Sequence, residues 1–273
     1  MKLYSLLLLL LTLFAACNNN STNTDVTPSI PATQSGIPAP QNINLNIIGI
    51  YDHDSGAYTQ GLEIHEGKMY ESTGDFENSS LRITDLKTGK VIEKHVMGTA
   101  DIFGEGITIF DNKIFQLTWK NHVVNVYDLK NINKPIKTFN WPYEGWGITH
   151  DKTELIISDG SSNLYFVNSE DFKLKRTLQV TDNVGPITLL NELEYIDGFV
   201  FANVYESDVI VKIDPDNGHV VGKIYLPGLI EQYAKGYNPD GNEVLNGIAW
   251  DSASKKIYIT GKHWPKMFEA LIN

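Results

Sequence analysis

The sequence predicts an all-β protein, a five-bladed β-propeller whose last blade is closed by the N-terminal strand. Five similar strings recur at spacings of 45, 41, 46 and 54 residues: QGLE from Gln60, EGIT from Glu105, WGIT from Trp146, ELEY from Glu192 and NGIA from Asn246. Each string opens a unit of short strands separated by polar turns, and no long segment has a helical period. About four strands per repeat of roughly 45 residues is the pattern of propeller blades.

The strands inside each unit follow in a regular order. In the first unit they are KMYESTG from Lys68, LRITDL from Leu81 and KVIEKHV from Lys90, joined by polar turns that carry Gly or Asn. The WD dipeptide and its partner motif are absent, so the repeats are not a WD40 array. A solenoid of the same repeats is the alternative architecture, but it would need polar capping repeats.

The ends of the repeat region predict how the ring closes. The fifth unit has three clear strands before the chain stops at Asn273, and the run NINLNIIGIYDHD from Asn42 can supply the fourth. Pairing the N-terminal run with the last blade would leave no free sheet edge. The propeller domain is therefore predicted to span residues 42–273.

Composition excludes several classes of partner and site. The chain has 273 residues, with 22 Lys and Arg against 33 Asp and Glu, and a formal net charge of −11. Such an acidic surface repels phosphate, so no nucleic acid partner is expected. A single cysteine excludes an internal disulfide, a CxxC redox pair and a cysteine-based zinc site. No HExxH, GxSxG, P-loop or GxGxxG motif occurs.

The first 41 residues read as a leader and a linker rather than as part of the fold. The apolar run from Leu6 to Leu11 is too short to span a bilayer, and Cys17 follows two alanines after it. Residues 1–17 thus resemble a bacterial lipoprotein signal with Cys17 as the lipidation site; the alternative is a soluble secreted protein cut near Ala16. Residues 18–41 hold four prolines and one charged residue, which predicts a disordered tether. We expect a lipid-anchored protein of the bacterial cell envelope, on the periplasmic or surface side.

The propeller geometry also predicts where a site lies. The first strand of each blade lines the central channel, so the opening strings converge there, and they bring together Gln60, Glu105, Trp146, Asn191 or Glu192, and Asn246. The ends of the second strands arrive nearby, with Trp119, Asp159, Asn203 and Lys262. An aromatic-walled pocket with a few polar groups is typical of a small-molecule site. Taken singly, each of these residues also has a structural reading, such as a core tryptophan or a surface lysine.

Eight strings carry a resemblance to a known family. They are YTQGL from Tyr58, FGEGIT from Phe103, LTW from Leu117, GWGIT from Gly145, SDGSS from Ser158, LNELEY from Leu190, LNGIAWD from Leu245 and TGKHWPKMFE from Thr260. In order and register they resemble the plant-type glutaminyl cyclases, five-bladed propellers that also occur in bacteria. The resemblance covers residues 44–273. It implies an acyltransferase that converts the N-terminal Gln of peptides or proteins to pyroglutamate and releases ammonia.

The resemblance also implies roles for individual residues. The family's general acid and base falls on Glu105, and its oxyanion and amide-binding roles fall on Asn191 and Lys262. The remaining candidate substrate-binding residues are Gln60, Phe103, Trp119, Trp146, Asn203, Tyr205 and Asn246. No cofactor is required by this reading, although the channel leaves room for a structural cation such as calcium near Glu192. A monomer is expected.

Two departures from the family pattern bear on specificity. Plant relatives carry a tryptophan where this chain has Tyr205. The loop from Ser72 to Arg82 lacks the usual GLYG-like string and has Asp75, Phe76 and Glu77 instead.

Two other functions compete with the cyclase. A non-catalytic envelope propeller that binds peptides or glycans is one, because propellers host many unrelated functions. A calcium-dependent, lactonase-like propeller hydrolase is the other. A chelator would abolish the activity of the hydrolase and not that of the cyclase.

Overall fold

The computed structural model describes residues 36–97 and 100–273. The predicted signal peptide, Cys17 and most of the predicted tether lie outside these residues. No helix in the described part of the chain is long and apolar enough to cross a membrane.

Twenty-one strands and one short helix make up the described chain. The first two strands are β1 (Gln41–Ile43) and β2 (Leu45–Asp52). Blade 1 holds β3 (Thr59–His65), β4 (Lys68–Thr73), β5 (Ser80–Thr84) and β6 (Val91–Val96). Blade 2 holds β7 (Gly104–Phe110), β8 (Lys113–Thr118), β9 (Val123–Asp128) and β10 (Lys137–Asn140). Blade 3 holds β11 (Ile148–His150), β12 (Leu155–Ser158), β13 (Asn163–Val167) and β14 (Leu174–Gln179). Blade 4 holds β15 (Leu190–Ile196), β16 (Phe199–Val204), β17 (Val209–Ile213) and β18 (Val220–Tyr225). After α1 (Leu229–Tyr233), blade 5 holds β19 (Leu245–Asp251), β20 (Lys256–Gly261) and β21 (Lys266–Ile272).

The sheets confirm the predicted five-bladed propeller. The strands that each blade takes from its own unit form an antiparallel meander in chain order, and β1 and β2 are added to the outer edges of blades 4 and 5. The outermost strand of blade 5 is β2, which pairs antiparallel with β21 from Leu45 opposite Ile272 to Asp52 opposite Lys266. The N-terminal strand therefore closes the ring, as predicted, and covers the edge that β21 would otherwise leave open.

The N-terminal run divides between two blades. Its first strand, β1, pairs in parallel with β18 of blade 4, with Gln41 opposite Gly222 and Ile43 opposite Ile224. After Asn44 the chain passes to blade 5 as β2. Strand β1 begins at Gln41, one residue before the predicted start of the domain. The N-terminal run thus joins blade 4 to blade 5.

Glycines let the innermost strands approach one another closely. The second residue of the repeated string is Gly61, Gly106, Gly147 or Gly247 in four of the blades. A Cβ on Gly147 would lie 2.0 Å from the Asn191 carbonyl oxygen of the next blade, and one on Gly61 would lie 2.4 Å from the backbone nitrogen of Ile107. No side chain fits at such distances.

In blade 4 the position of these glycines is occupied by Glu192, so the string of this blade aligns as NELE from Asn191 and not as ELEY from Glu192. Its carboxylate accepts hydrogen bonds from the backbone N–H groups of Leu62 at 3.3 Å and Ile248 at 2.8 Å. These donors belong to blades 1 and 5, so Glu192 links three innermost strands across the channel. The hydrophobic core lies between neighbouring blades; one cluster combines Phe115 and Val126 of blade 2 with Ile157 and Tyr165 of blade 3.

Candidate active site

The site includes the residue that precedes the repeated position of the inner strand, which is a glycine in blades 1 to 3 and Glu192 in blade 4. Gln60, Glu105, Trp146 and Asn191 occupy this position in blades 1 to 4 and line one cavity of about 190 Å³. The other lining residues are Tyr58, Phe103, Trp119, Tyr205 and Lys262. Pockets for drug-sized ligands measure roughly 300–1,000 Å³, so this cavity suits a single amino-acid side chain.

β-Bulges aim these side chains. The pairing register shifts between Gly104 and Ile107 in β7, and between Leu190 and Leu193 in β15. A bulge interrupts the two-residue alternation of a strand and redirects the side chains at that point. Glu105 can therefore face the cavity, and Asn191 can do so while the adjacent Glu192 reaches across the channel.

The second strands end where the inner strands begin. The backbone N–H of Trp119 donates to the carbonyl of Phe103 at 3.0 Å. The N–H of Lys262 likewise donates to the carbonyl of Val244 at 2.9 Å. These bonds hold the first residue after β8 and after β20 against the segment that leads into the inner strand, and so bring Trp119 and Lys262 to the cavity.

Glu105 is a buried carboxyl without a hydrogen-bond partner among the described residues, and its residue is 4% exposed. Burial raises its pKa well above the ordinary value, the Lys262 ammonium opposes that rise, and the Glu144 carboxylate adds to it. Such a carboxyl gains and releases a proton more readily near neutral pH than an exposed one does.

Lys262 supplies the positive charge of the cavity. Its ammonium lies 4.6 Å from the ring centre of Tyr58 and 4.5 Å from that of Tyr205, so two aromatic rings flank the cation. Burial lowers the pKa of Lys262 to about 8, and the Glu105 carboxylate partly offsets that effect. Well below pH 8 the side chain is therefore charged, and it is held away from water.

Two amide side chains that line the cavity have hydrogen-bonding atoms without a partner in the described part of the chain. The Oδ1 atom of Asn191 is buried and has no partner among the described residues. The Oε1 atom of Gln60 accepts a hydrogen bond from Asn246 Nδ2 at 3.2 Å, whereas the amide nitrogen of Gln60 has no partner in the described part of the chain. Buried polar groups are normally satisfied, so these atoms point to a polar ligand.

Glu144 orients the aromatic walls. Its Oε2 atom accepts hydrogen bonds from the indole N–H groups of Trp119 at 2.7 Å and Trp146 at 3.1 Å. The Trp119 ring packs edge-on against Phe103 at 5.7 Å, and the Trp146 ring packs edge-on against Tyr205 at 5.6 Å. Both indoles are therefore fixed in direction as well as in place.

Comparison with known proteins identifies the family. The family model for glutamine cyclotransferase matches residues 12–272. The chain belongs to the glutamine cyclotransferase family. The glutaminyl-peptide cyclotransferase of Arabidopsis thaliana is 39% identical over 228 residues, which cover 82% of this chain and 70% of the relative. The solved structure of Myxococcus xanthus glutaminyl cyclase matches with a TM-score of 0.79 and 32% identity. The match covers 86% of this chain and 98% of the Myxococcus chain.

The family model and the Arabidopsis relative confirm the resemblance to this family that the sequence carries. Eight of the residues named from the sequence lie together in the cavity: Gln60, Phe103, Glu105, Trp119, Trp146, Asn191, Tyr205 and Lys262. The sequence left open whether Asn191 or Glu192 belongs to the site, and Asn191 is the one that lines the cavity.

Three residues named from the sequence do not line the cavity. Asn203 Oδ1 accepts a hydrogen bond from the backbone of Gly247 at 3.0 Å, and Asn246 Nδ2 donates to the carbonyl of Thr59 at 2.9 Å. The carboxylate of Asp159 accepts from Ser161 and from the Tyr165 hydroxyl. These side chains support neighbouring backbone and side chains of the glutamine cyclotransferase fold instead.

Two residues of the site were missed from the sequence, namely Tyr58 and Glu144. Each precedes a cavity-lining residue by two positions, as Phe103 precedes Glu105. Aligning the blades on Gln60, Glu105 and Trp146 would have found both.

The metal prediction remains untested. Within residues 36–97 and 100–273, no group of three or more His, Cys, Asp and Glu side chains is placed to hold a metal ion. The structural cation near Glu192 therefore stays a prediction for this glutamine cyclotransferase family member.

Proposed function

We propose that this protein cyclises the N-terminal glutamine of peptides and proteins to pyroglutamate and releases ammonia. The observation that carries the proposal is Glu105, a buried carboxyl of raised pKa in a cavity that also holds Lys262 and Asn191. The names of the Arabidopsis and Myxococcus relatives support the same substrate and reaction.

Glu105 carries the proton through the reaction. The α-amine of the substrate attacks the carbon of its own side-chain carboxamide, and a nitrogen–carbon bond forms. Glu105 accepts the proton that the attacking amine loses, and then gives it to the departing nitrogen as the original carbon–nitrogen bond breaks. The products are the five-membered lactam and ammonia. A carboxyl of raised pKa serves both as base and as acid.

Asn191 and Lys262 stabilise the negative oxygen of the tetrahedral intermediate. The amide N–H of Asn191 donates a hydrogen bond, and the Lys262 ammonium supplies a charge with little competing solvent, because both residues are 2% exposed. Preorganised donors of this kind act most strongly where water is excluded.

The aromatic walls hold the substrate side chain in its folded conformation. Phe103, Trp119 and Trp146 enclose the cavity, and Gln60 holds the substrate's amine or carboxamide. Exclusion of water favours attack by the amine over hydrolysis of the amide.

Catalysis in this scheme needs no metal ion, because Glu105 transfers the proton and Lys262 and Asn191 stabilise the charge. Turnover is expected to survive EDTA. A calcium ion in the channel would act on stability instead, so its removal would lower the melting temperature before it lowered the activity of the folded enzyme.

The leader sequence supports a location in the bacterial cell envelope. Cys17 would carry the lipid, and residues 18–41 would tether a monomeric propeller on the periplasmic or surface side. In cells that express the full chain, Cys17→Ser should move the protein from the membrane fraction to the soluble fraction. Unchanged membrane association would contradict the anchor.

The substrate is tested with two dipeptides, Gln-Ala and N-acetyl-Gln-Ala. The first should release ammonia and yield pyroglutamyl-alanine, and the second should not react, because its amine is blocked. Release from both peptides would indicate an amidase, and binding without release would indicate a non-catalytic propeller.

A further inference from the structure

Acidic residues are concentrated at the end of the propeller that carries the cavity. The entrance face is formed by ten connections, residues 53–58, 74–79, 97 and 100–103, 119–122, 141–147, 159–162, 180–189, 205–208, 226–244 and 262–265. In the described residues these connections hold twelve Asp and Glu against three Lys. The connections at the opposite end are 66–67, 85–90, 111–112, 129–136, 151–154, 168–173, 197–198, 214–219 and 252–255, with ten acids and seven lysines. The formal charge is therefore −9 at the entrance and −3 at the other end.

Little of the charge at the entrance is neutralised. Three of the twelve acids pair with a cation within the described residues: Asp54 with Arg82 at 2.7 Å, Glu144 with Lys120 at 3.7 Å, and Asp182 with Lys223 at 2.8 Å. Of the three lysines, Lys262 lies inside the cavity. The field outside the cavity mouth is therefore negative.

Two of the unpaired acids stand next to the cavity wall. Glu206 directly follows Tyr205, a lining residue. Glu77 directly follows Phe76, whose ring lies 5.2 Å from that of Phe103. Both glutamates are exposed, and neither makes a hydrogen bond or ion pair with the described part of the chain. Their carboxylates are therefore available to interact with a bound substrate.

The cavity itself shows which part of a substrate reaches these carboxylates. It holds one side chain, and the buried, unpartnered Oδ1 atom of Asn191 marks the position of a polar ligand inside. The glutaminyl head occupies that space, and the peptide continues outward past the mouth. An extended chain advances about 3.3–3.6 Å per residue, and charges interact over roughly 8–10 Å at physiological salt. The two or three residues after the glutamine therefore lie within the negative field.

We propose that the entrance face selects peptides and proteins in which lysine or arginine follows the N-terminal glutamine. The proposal rests on the cyclase function. Complementary charge acts chiefly on encounter and binding, so the preference belongs to kcat/KM and leaves kcat nearly unchanged.

The preference is measured with Gln-Lys-Lys-Ala, Gln-Ala-Ala-Ala and Gln-Glu-Glu-Ala and the full-length protein. At about 50 mM salt the basic peptide should exceed the acidic one in kcat/KM by roughly tenfold or more, and at about 500 mM salt the ratio should shrink severalfold. Turnover at saturation should be similar for all three.

Two matched double variants locate the effect. Glu77→Lys with Glu206→Lys changes the entrance face, and Glu66→Lys with Asp111→Lys changes the opposite face by the same charge. All four positions are exposed. Glu206, Glu66 and Asp111 have positive φ values of 59°, 49° and 50°, so each double variant includes at least one substitution in the left-handed region. The entrance variant should lose most of the preference, and the control should keep it.

The outcomes separate this inference from the function beneath it. Equal kcat/KM for the three peptides at low salt, with clear cyclisation of each, would overturn the charge selection and leave the cyclase intact. A preference that the control variant also loses would overturn it too, because net charge and not the entrance face would be responsible. Failure to cyclise any of the peptides would instead overturn the proposed function.

Discussion

At the scale of single residues, Glu105 and Lys262 shift each other's protonation across a buried cavity. Burial raises the pKa of the carboxyl and lowers that of the ammonium, and each charge partly counters the effect on the other. The pair is therefore sensitive to any change of charge nearby, which makes pH profiles more informative than single rates.

The fall of kcat/KM at alkaline pH should result from deprotonation of Lys262. Its pKa of about 8 means that the ammonium is lost as the pH rises through 8. We expect kcat/KM of the wild type to fall above that pH. Lys262→Arg should be slower overall, by about tenfold or more, but should show no fall up to pH 10, because a guanidinium stays charged. A fall at the same pH in both proteins would contradict the assignment.

Glu144 has two effects that two variants can separate. Its charge raises the pKa of Glu105, and its carboxylate holds the indoles of Trp119 and Trp146. Glu144→Gln removes a charge that raises the pKa of Glu105 and keeps a hydrogen-bond acceptor, so the acid limb should move to lower pH with modest loss of rate. Glu144→Ala also frees both indoles and should cost about tenfold in kcat/KM, mostly through KM. The comparison is a pH–rate profile of the two variants. Identical profiles would show that Glu144 does not hold the walls.

At the scale of the strand, the inner strands depend on their glycines. Gly147→Ala would place a methyl group 2.0 Å from the Asn191 carbonyl, so blades 3 and 4 would have to separate. We expect a loss of roughly 1–3 kcal/mol or more in the free energy of unfolding, measured in urea. Gly185→Ala is the control, because a Cβ there has no neighbour within 4 Å. Equal stability of the two variants would contradict the close approach of the inner strands.

The repeats predict the strands better than they predict side-chain direction. Recurrent strings and polar turns suffice for five blades and for closure by Leu45–Asp52. They do not reveal the break at Asn44, because the alternation of the sequence continues through it and only the partner strand in blade 4 decides it. Bulges are equally hidden. Asn246 sits at the same string position as Glu105 yet bonds to Gln60 and Thr59, and its direction depends on the local register shift.

At the scale of the whole molecule, two buried carboxyls and one partly buried carboxyl link neighbouring blades. Glu63, Glu192 and Glu194 each accept a backbone N–H from the inner strand of another blade. Burial raises the pKa of all three, to about 8 for Glu63. These carboxyls therefore stabilise the folded ring more when they are protonated than when they are charged.

This arrangement predicts how the stability of the ring varies with pH. A carboxyl whose pKa is raised in the folded state stabilises that state fully below its unfolded pKa, which is 4.5 for Glu192. This contribution is lost as the pH rises through the pKa of the folded state. Glu192→Gln keeps an acceptor and removes the titration. Its unfolding free energy relative to wild type should therefore rise between pH 5 and 8, by at most about 1.4 kcal/mol per pH unit. A difference that stays constant over this interval would contradict protonation of Glu192.

The central claim is that Glu105 carries the proton in a metal-independent cyclisation, and one measurement tests it most directly. Ammonia release from Gln-Ala is followed in EDTA for the wild type and for Glu105→Gln, with Glu144→Gln as the control for loss of a nearby carboxylate. The account predicts full release by the wild type, near-normal release by the control, and a fall of at least about 10² in Glu105→Gln, with unchanged melting temperatures. Release by Glu105→Gln at the rate of the wild type, or loss of wild-type release in EDTA, would contradict it.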